Sequence, residues 1–158
     1  MAKELVTYFS ATGTTERVAR DLAAATGADL FQIAPATPYT RADIDWRDKG
    51  SRSSVEMNDE TCRPAIAGAV ENMAAYDVVY VGFPVWWYVE PRIVDTFLES
   101  YDFADKVIVP FATSGGSGLG KAPQRMQTLA PGAQVRQGAV LNGSPSKAKL
   151  ASWAQSAR

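Results

Sequence analysis

Two stretches of this chain, Val78 to Phe83 and Val107 to Ala112, are apolar at almost every position. A strand with one face in water alternates apolar and polar residues, so unbroken runs of this kind predict strands covered on both faces. Sheets of such strands are parallel and wrapped by helices. Three further strand candidates accompany them. Leu5 to Phe9 is apolar, whereas Asp29 to Ile33 and Val135 to Leu141 carry Gln32 or Arg136, Gln137 and Gly138, as suits sheet edges. Helical spacing fills the intervals. Val18 and Leu22 recur among alanines after Thr15, and Ile93, Val94, Phe97, Leu98 and Tyr101 share one face after Pro91, placed at the first helical position. Leu150, Trp153 and Ala157 predict a closing helix that begins near Ser144-Pro145. Strands alternating with helices predict an α/β, doubly wound three-layer sandwich, with a five-stranded parallel sheet of order 2-1-3-4-5.

With 158 residues, 46% of them hydrophobic, the expectation is a single domain spanning 1–158. Sixteen Lys and Arg against seventeen Asp and Glu leave a net charge of −1, which argues against nucleic acid as a partner. Met1 to Glu4 run into the first strand without a signal pattern, and no apolar run approaches membrane-spanning length, so a cytoplasmic location without membrane insertion is expected. Histidine is absent and Cys62 is the only cysteine. Ser-His and Cys-His nucleophiles, thiolate metal clusters and internal disulfides are thereby excluded, and redox or group-transfer chemistry calls for a bound cofactor. Cys62 has only Arg63 nearby to lower its pKa and is expected to be an inert thiol.

Three stretches follow strand candidates at the edge where doubly wound sheets bind ligands. The first is Ser10, Ala11, Thr12, Gly13, Thr14 and Thr15, a turn of hydroxyl residues and glycine opening a helix. Four hydroxyls in six positions exceed what a helix cap needs. Unpaired N–H groups at the helix start, with Gly13 allowing close approach, make an anion cradle without Lys or Arg. The second is Pro84, Val85, Trp86, Trp87 and Tyr88. Three consecutive aromatics cannot all face one core, so at least one ring is expected to be exposed or to stack on a planar ligand. The third is Ser114, Gly115, Gly116, Ser117 and Gly118, with backbone N–H groups and the Ser114 and Ser117 hydroxyls expected to face a polar rim. Gly115 to Lys121 fits the spacing of a nucleotide P-loop, but Ala122 stands where that motif needs Ser or Thr for Mg²⁺. The segment from Ala34 to Pro64 is irregular. It reads as a long crossover with one short helix, or as a wall beside the cofactor built on Tyr39 and Trp46.

Ser10 to Glu16 resembles the phosphate loop of flavodoxins, and the three loops together resemble a flavodoxin-like FMN protein over essentially the whole chain. That resemblance implies that Ser10 to Thr15 hold the FMN phosphate, Pro84 to Tyr88 flank the ring and Ser114 to Gly118 touch its other side. It implies an electron carrier serving a redox partner protein or small-molecule acceptor, or alternatively an NAD(P)H-dependent FMN or quinone reductase. A phosphoryl-accepting receiver domain has the same strand order, but Ser10-Ala11, Phe83-Pro84 and Asn142-Gly143 occupy the places of its acidic residues and lysine. The ring loop lacks glycine between Pro84 and Pro91. Bulky residues resist φ > 0, so Val85 to Val89 is expected to stay out of the left-handed region and to disfavour accumulation of the one-electron-reduced flavin.

Overall fold

In the computed structural model, which describes residues 3–158, the two apolar runs lie side by side at the centre of a parallel sheet. The elements in chain order are β1 (Glu4–Tyr8), α1 (Thr14–Thr26), β2 (Asp29–Gln32), β3 (Ala34–Pro35), α2 (Arg52–Met57), β4 (Ile66–Ala67), β5 (Val78–Pro84), α3 (Arg92–Glu99), β6 (Val107–Thr113), α4 (Ala122–Leu129), β7 (Gln134–Val135), β8 (Ala139–Val140) and α5 (Lys147–Ala157). The spatial order is β2-β1-β5-β6-β7, with β8 also on β6, which is the 2-1-3-4-5 order expected of the five strand regions.

Side chains alternate across the sheet and build two cores. Leu5, Phe9, Val79, Val81, Phe83 and Ile108 pack with Ile93, Phe97 and Met126 on the α3–α4 side. Val6, Tyr8, Tyr80, Val109 and Phe111 pack with Val18, Leu22 and Leu150 on the α1–α5 side. The period of two along each strand therefore produces the three layers. Among the described residues no helix is long and apolar enough to cross a membrane.

Three local expectations change. The fifth strand, expected from Val135 to Leu141, is broken into β7 and β8. Ile108 pairs with Val135 and Phe111 with Ala139, so two residues of β6 face three of the edge strand. The carbonyls of Ile108 and Ala112 accept bonds from that edge, and Pro110 between them has no N–H to offer it. A ladder that lacks one donor accommodates an extra residue there. Pro91 stands just before α3 with φ −60° and ψ 152°, so its extended backbone makes it the residue preceding the first helical one. The crossover is also more tied down than its composition implies. Antiparallel pairs Ala34–Ala67 and Pro35–Ile66 close its base, and Ser51 caps α2 through its side chain.

Candidate functional site

The first loop leaves β1 when the Phe9 N–H bonds the Gly82 carbonyl and enters α1 at Thr14. Gly13 sits there with φ 91°, contributes no side-chain cap, and has open space where a Cβ would stand. The first intrahelical bond runs from the Arg17 N–H to the Gly13 carbonyl at 3.1 Å. The N–H groups of Thr14, Thr15 and Glu16 therefore have no helix partner. The hydroxyls divide their duties. Ser10 Oγ accepts from the Gly13 N–H at 3.0 Å, and Thr12 and Thr14 lie on the rim with their oxygens 3.3 Å apart. Thr15 differs from expectation, because its buried hydroxyl meets that of Thr113 at 2.8 Å and ties α1 to the end of β6. Only its backbone N–H is left open at the helix start. Glu16 accepts from the Tyr8 hydroxyl at 2.7 Å and from Arg20 at 3.2 Å. Those bonds hold its carboxyl below the usual range, while burial and Glu16 push Tyr8 up to about 12.

The second loop contradicts the expectation about φ. Trp86 and Val89 exchange two backbone bonds, 3.0 and 3.2 Å, closing a two-residue turn in which Trp87 has φ 49° and Tyr88 φ 68°. Both are left-handed, the backbone of a type I′ turn that usually takes Asn and Gly. Each such bulky residue costs on the order of 1–3 kcal/mol, so tertiary contacts hold the turn. The Val85 N–H bonds the Thr113 carbonyl at 3.0 Å, and Trp86 packs edge-on against Phe9 and Tyr39, with centroids 5.5 and 5.6 Å away. From the third loop, Gly120 closes against the Tyr88 backbone, where a Cβ would come within 2.2 Å of the Tyr88 carbonyl oxygen. Only glycine permits that approach.

The aromatic trio thus splits. Trp86 is a supporting wall, whereas Trp87 and Tyr88 are 43% and 70% exposed. Tyr39 stands beneath Trp86, its hydroxyl donating to Glu56 at 2.6 Å and its ring under the Arg52 guanidinium at 3.7 Å. Burial and Glu56 raise its pKa far above the ordinary phenol value. Trp46, 69% exposed, reaches the open side. A cavity of about 720 Å³ lies between Val85–Tyr88, Ser114–Ser117 and the crossover residues Ile44, Trp46 and Ser53. Pro84, Gly118 and residues 10–15 lie outside its lining, and the first loop joins the other two through Thr113.

In the third loop, Ser114 Oγ is turned to its own backbone, accepting from the N–H groups of Gly116 and Ser117 at 3.2 and 2.9 Å. It shapes the loop, contrary to the expectation of a rim donor. Asn142 locks the loop from outside, with Oδ1 accepting the Ser114 N–H at 3.0 Å and Nδ2 donating to the Ser114 carbonyl at 2.7 Å. Asn142, Thr113, Gly120, Ile44 and Ser53 escaped the sequence reading. The Asn142-Gly143 pair after the last strand and Gly120 in the P-loop-like spacing were the visible signals, and nothing local marked the role of the others. Burial raises the Cys62 thiol, with Glu56 and Asp59 adding to it, which agrees with an inert cysteine.

Comparison with known proteins places the chain as a whole. The family model described as flavodoxin matches residues 3–157. A protein described as a flavoprotein from Bacteroides eggerthii is similar at 48% identity, covering 99% of this chain and 98% of its own, with a TM-score of 0.94. A second from Bacteroides uniformis shares 49% identity over 98% of each chain, with a TM-score of 0.91. A Lactobacillus acidophilus flavoprotein, solved in complex with FMN, shares the fold at 20% identity over 85% of this chain and 90% of that one, with a TM-score of 0.66. No curated protein matches the sequence.

Proposed function

This chain belongs to the flavodoxin family, and from that premise we propose that it is a redox protein holding FMN non-covalently and carrying electrons to a partner. The observation that carries the reading is the pairing of an uncapped helix start with a left-handed turn that holds two exposed aromatic rings at the mouth of a cavity. The residues fit the cofactor. Three free N–H groups at the positive end of α1 and the Thr12 and Thr14 hydroxyls answer a phosphate charge that no Lys or Arg among residues 10–15 neutralises. Trp87 and Tyr88 offer planar faces, Val85 and Trp86 keep water from the inner wall, and the glycines of the third loop bring N–H groups to the opposite side. When bound, FMN supplies one- and two-electron chemistry. Exposure of Trp87 and Tyr88 leaves the ring site within reach of a redox partner protein. The test is titration of the apo-protein with FMN and with riboflavin, the parent against Thr12→Val. Selective loss of FMN affinity supports the cradle, and equal loss of both removes it.

One observation favours the reductase reading as a second possibility. A further cavity of about 600 Å³ shares Ile44 and Trp46 with the first and is lined by Arg41, Asp45 and Arg47. Arg41 and Arg47 make no ion pair among the described residues, and a planar acceptor or dinucleotide with an anionic group suits such a place. Rapid bleaching of bound flavin on NAD(P)H addition supports this reading; slow or absent bleaching supports the carrier.

A further inference from the structure

The left-handed turn ends directly on a buried acid. Glu90 follows Val89 and is completely buried, as is Asp95 in the first turn of α3. Charged groups converge on them from three elements. Arg125 of α4 donates Nε to Glu90 Oε1 at 2.8 Å and Nη2 to Asp95 Oδ2 at 3.1 Å, and also lies 3.6 Å from the exposed Glu60. Arg92 of α3 approaches Asp95 Oδ2 at 3.6 Å but gives its hydrogen bonds to the carbonyls of Glu56, Met57 and Asp59 at the end of α2. Arg63 of the crossover stands 3.9 Å from the same oxygen and bonds Glu99 at 2.5 Å.

Every contact that these arginines make with the two acids falls on Glu90 Oε1 or Asp95 Oδ2. Glu90 Oε2 and Asp95 Oδ1 are buried and have no hydrogen-bond partner among the described residues. The same Arg125 guanidinium, with Nε on one acid and Nη2 on the other, holds the two carboxyls side by side. Were both ionised, two negative charges would face each other in a dry site with an uncompensated oxygen on each. One proton between them removes the repulsion and converts an orphan acceptor into a donor for the other carboxyl.

The backbone on either side of Glu90 is not equally free to follow a displaced carboxylate. Asp95 is fixed inside α3, and Pro91 between the two acids has its φ set by its ring. Displacement of Glu90 is therefore passed back to Val89, which closes the Trp86–Val89 pair and with it the turn. We propose that Glu90 and Asp95 share a single proton, and that this neutralised pair is the anchor that keeps Trp87 and Tyr88 left-handed beside the ring site, making that site pH-sensitive. Burial, reinforced by the Asp95 carboxylate and opposed by Arg125, pushes Glu90 up to about 8, which agrees with a proton held at neutral pH.

The proton and the turn are tested on the apo-protein, and only the cofactor arm rests on the FMN reading. Infrared spectra taken across the pH range give the first readout: a protonated-carboxyl band lost near pH 8 and missing from Glu90→Gln. The second is tryptophan emission, which changes across the same range in the parent and loses that change in Trp87→Phe and in Glu90→Gln. In the holoprotein, FMN affinity falls about tenfold or more between roughly pH 6 and pH 10 in the parent. Glu90→Gln keeps an amide donor toward Asp95 and an oxygen acceptor for Arg125. It therefore binds FMN like the parent at the acid end and shows no such fall. Absence of a titrating carboxyl, emission that ignores pH, or a Glu90→Gln variant that is unfolded or weak at the acid end overturns the proposal. Failure of every form to bind FMN, with the infrared and emission changes intact, overturns the FMN reading and leaves the proton pair standing.

Discussion

The loop from Ser10 to Thr15, proposed to hold the phosphate, and the loop from Pro84 to Tyr88, proposed to flank the ring, occupy the same edge of the sheet and are built on opposite principles. In the first, glycine supplies the left-handed residue, the helix start supplies the donors, and the side chains within reach are small. In the second, Trp87 and Tyr88 take up left-handed angles that neither favours, and contacts from Gly120, Thr113 and the packed Trp86 ring hold the turn from outside. One loop is locally consistent; the other stores strain at a place where rigid presentation of two rings is useful. Their acids differ in sign as well. Glu16 is hydrogen-bonded as a carboxylate and its pKa is lowered, so its contribution to stability is present above the ordinary carboxylate value and is lost as the solution is acidified. Glu90 is buried and its pKa is raised, and its contribution runs the other way.

The largest expected effect tests that opposition of sign. With the proton shared as proposed, burial raises the Glu90 carboxyl from the ordinary 4.5 to about 8 in the folded chain. Stability therefore falls as pH rises through this window, by on the order of 3–5 kcal/mol for a shift of that size. Denaturant melts of the parent and of Glu90→Gln at stepped pH should show the slope in the parent and a flat line in the variant. Next comes Gly120→Ala, whose Cβ meets the Tyr88 carbonyl at 2.2 Å and whose backbone has φ 55°. It should cost about 2–4 kcal/mol. The same change at Gly13, left-handed but facing open space, should cost only about 1–2 kcal/mol. Equal urea midpoints for the two variants would erase the distinction between a strained and a relaxed loop.

A smaller effect is expected at the cradle. Thr12→Val removes one donor to a charged phosphate and should weaken FMN by about 1.5–3 kcal/mol while leaving riboflavin binding and apo-protein stability almost unchanged. Paired fluorescence titrations decide this. The smallest is a gain. Tyr88→Asn places a residue tolerant of φ 68° at a position 70% exposed, and should raise apo-protein stability by about 1 kcal/mol while reducing the quenching of bound flavin. A destabilised Tyr88→Asn would mean that the Tyr88 ring, and not the backbone around it, holds the turn.

The outcome at individual positions follows where the governing physics lies. Val78 to Phe83 and Val107 to Ala112 specify central parallel strands because continuous burial is written into side-chain chemistry, and the strand order follows from their neighbours. The cradle was legible for the same reason, since hydroxyls, glycine and a helix start are consecutive in the chain. Other features depend on residues far apart. Trp87 and Tyr88 are left-handed because Thr113 at the end of β6 and Gly120 in the loop after it close on their turn. Thr15 turns its hydroxyl to Thr113, 98 residues away, and Asn142 completes a loop 28 residues before it. Glu90 is the carboxylate nearest the ring loop in the chain, but its complete burial and its bond to Arg125, 35 residues on, are visible only in the fold. Burial pattern and helix-start chemistry are properties of neighbouring residues, so the sequence by itself determined the fold and the uncapped start of the first helix. Strain and a shifted proton are balances of long-range contacts against local preference, and only the tertiary structure could decide them.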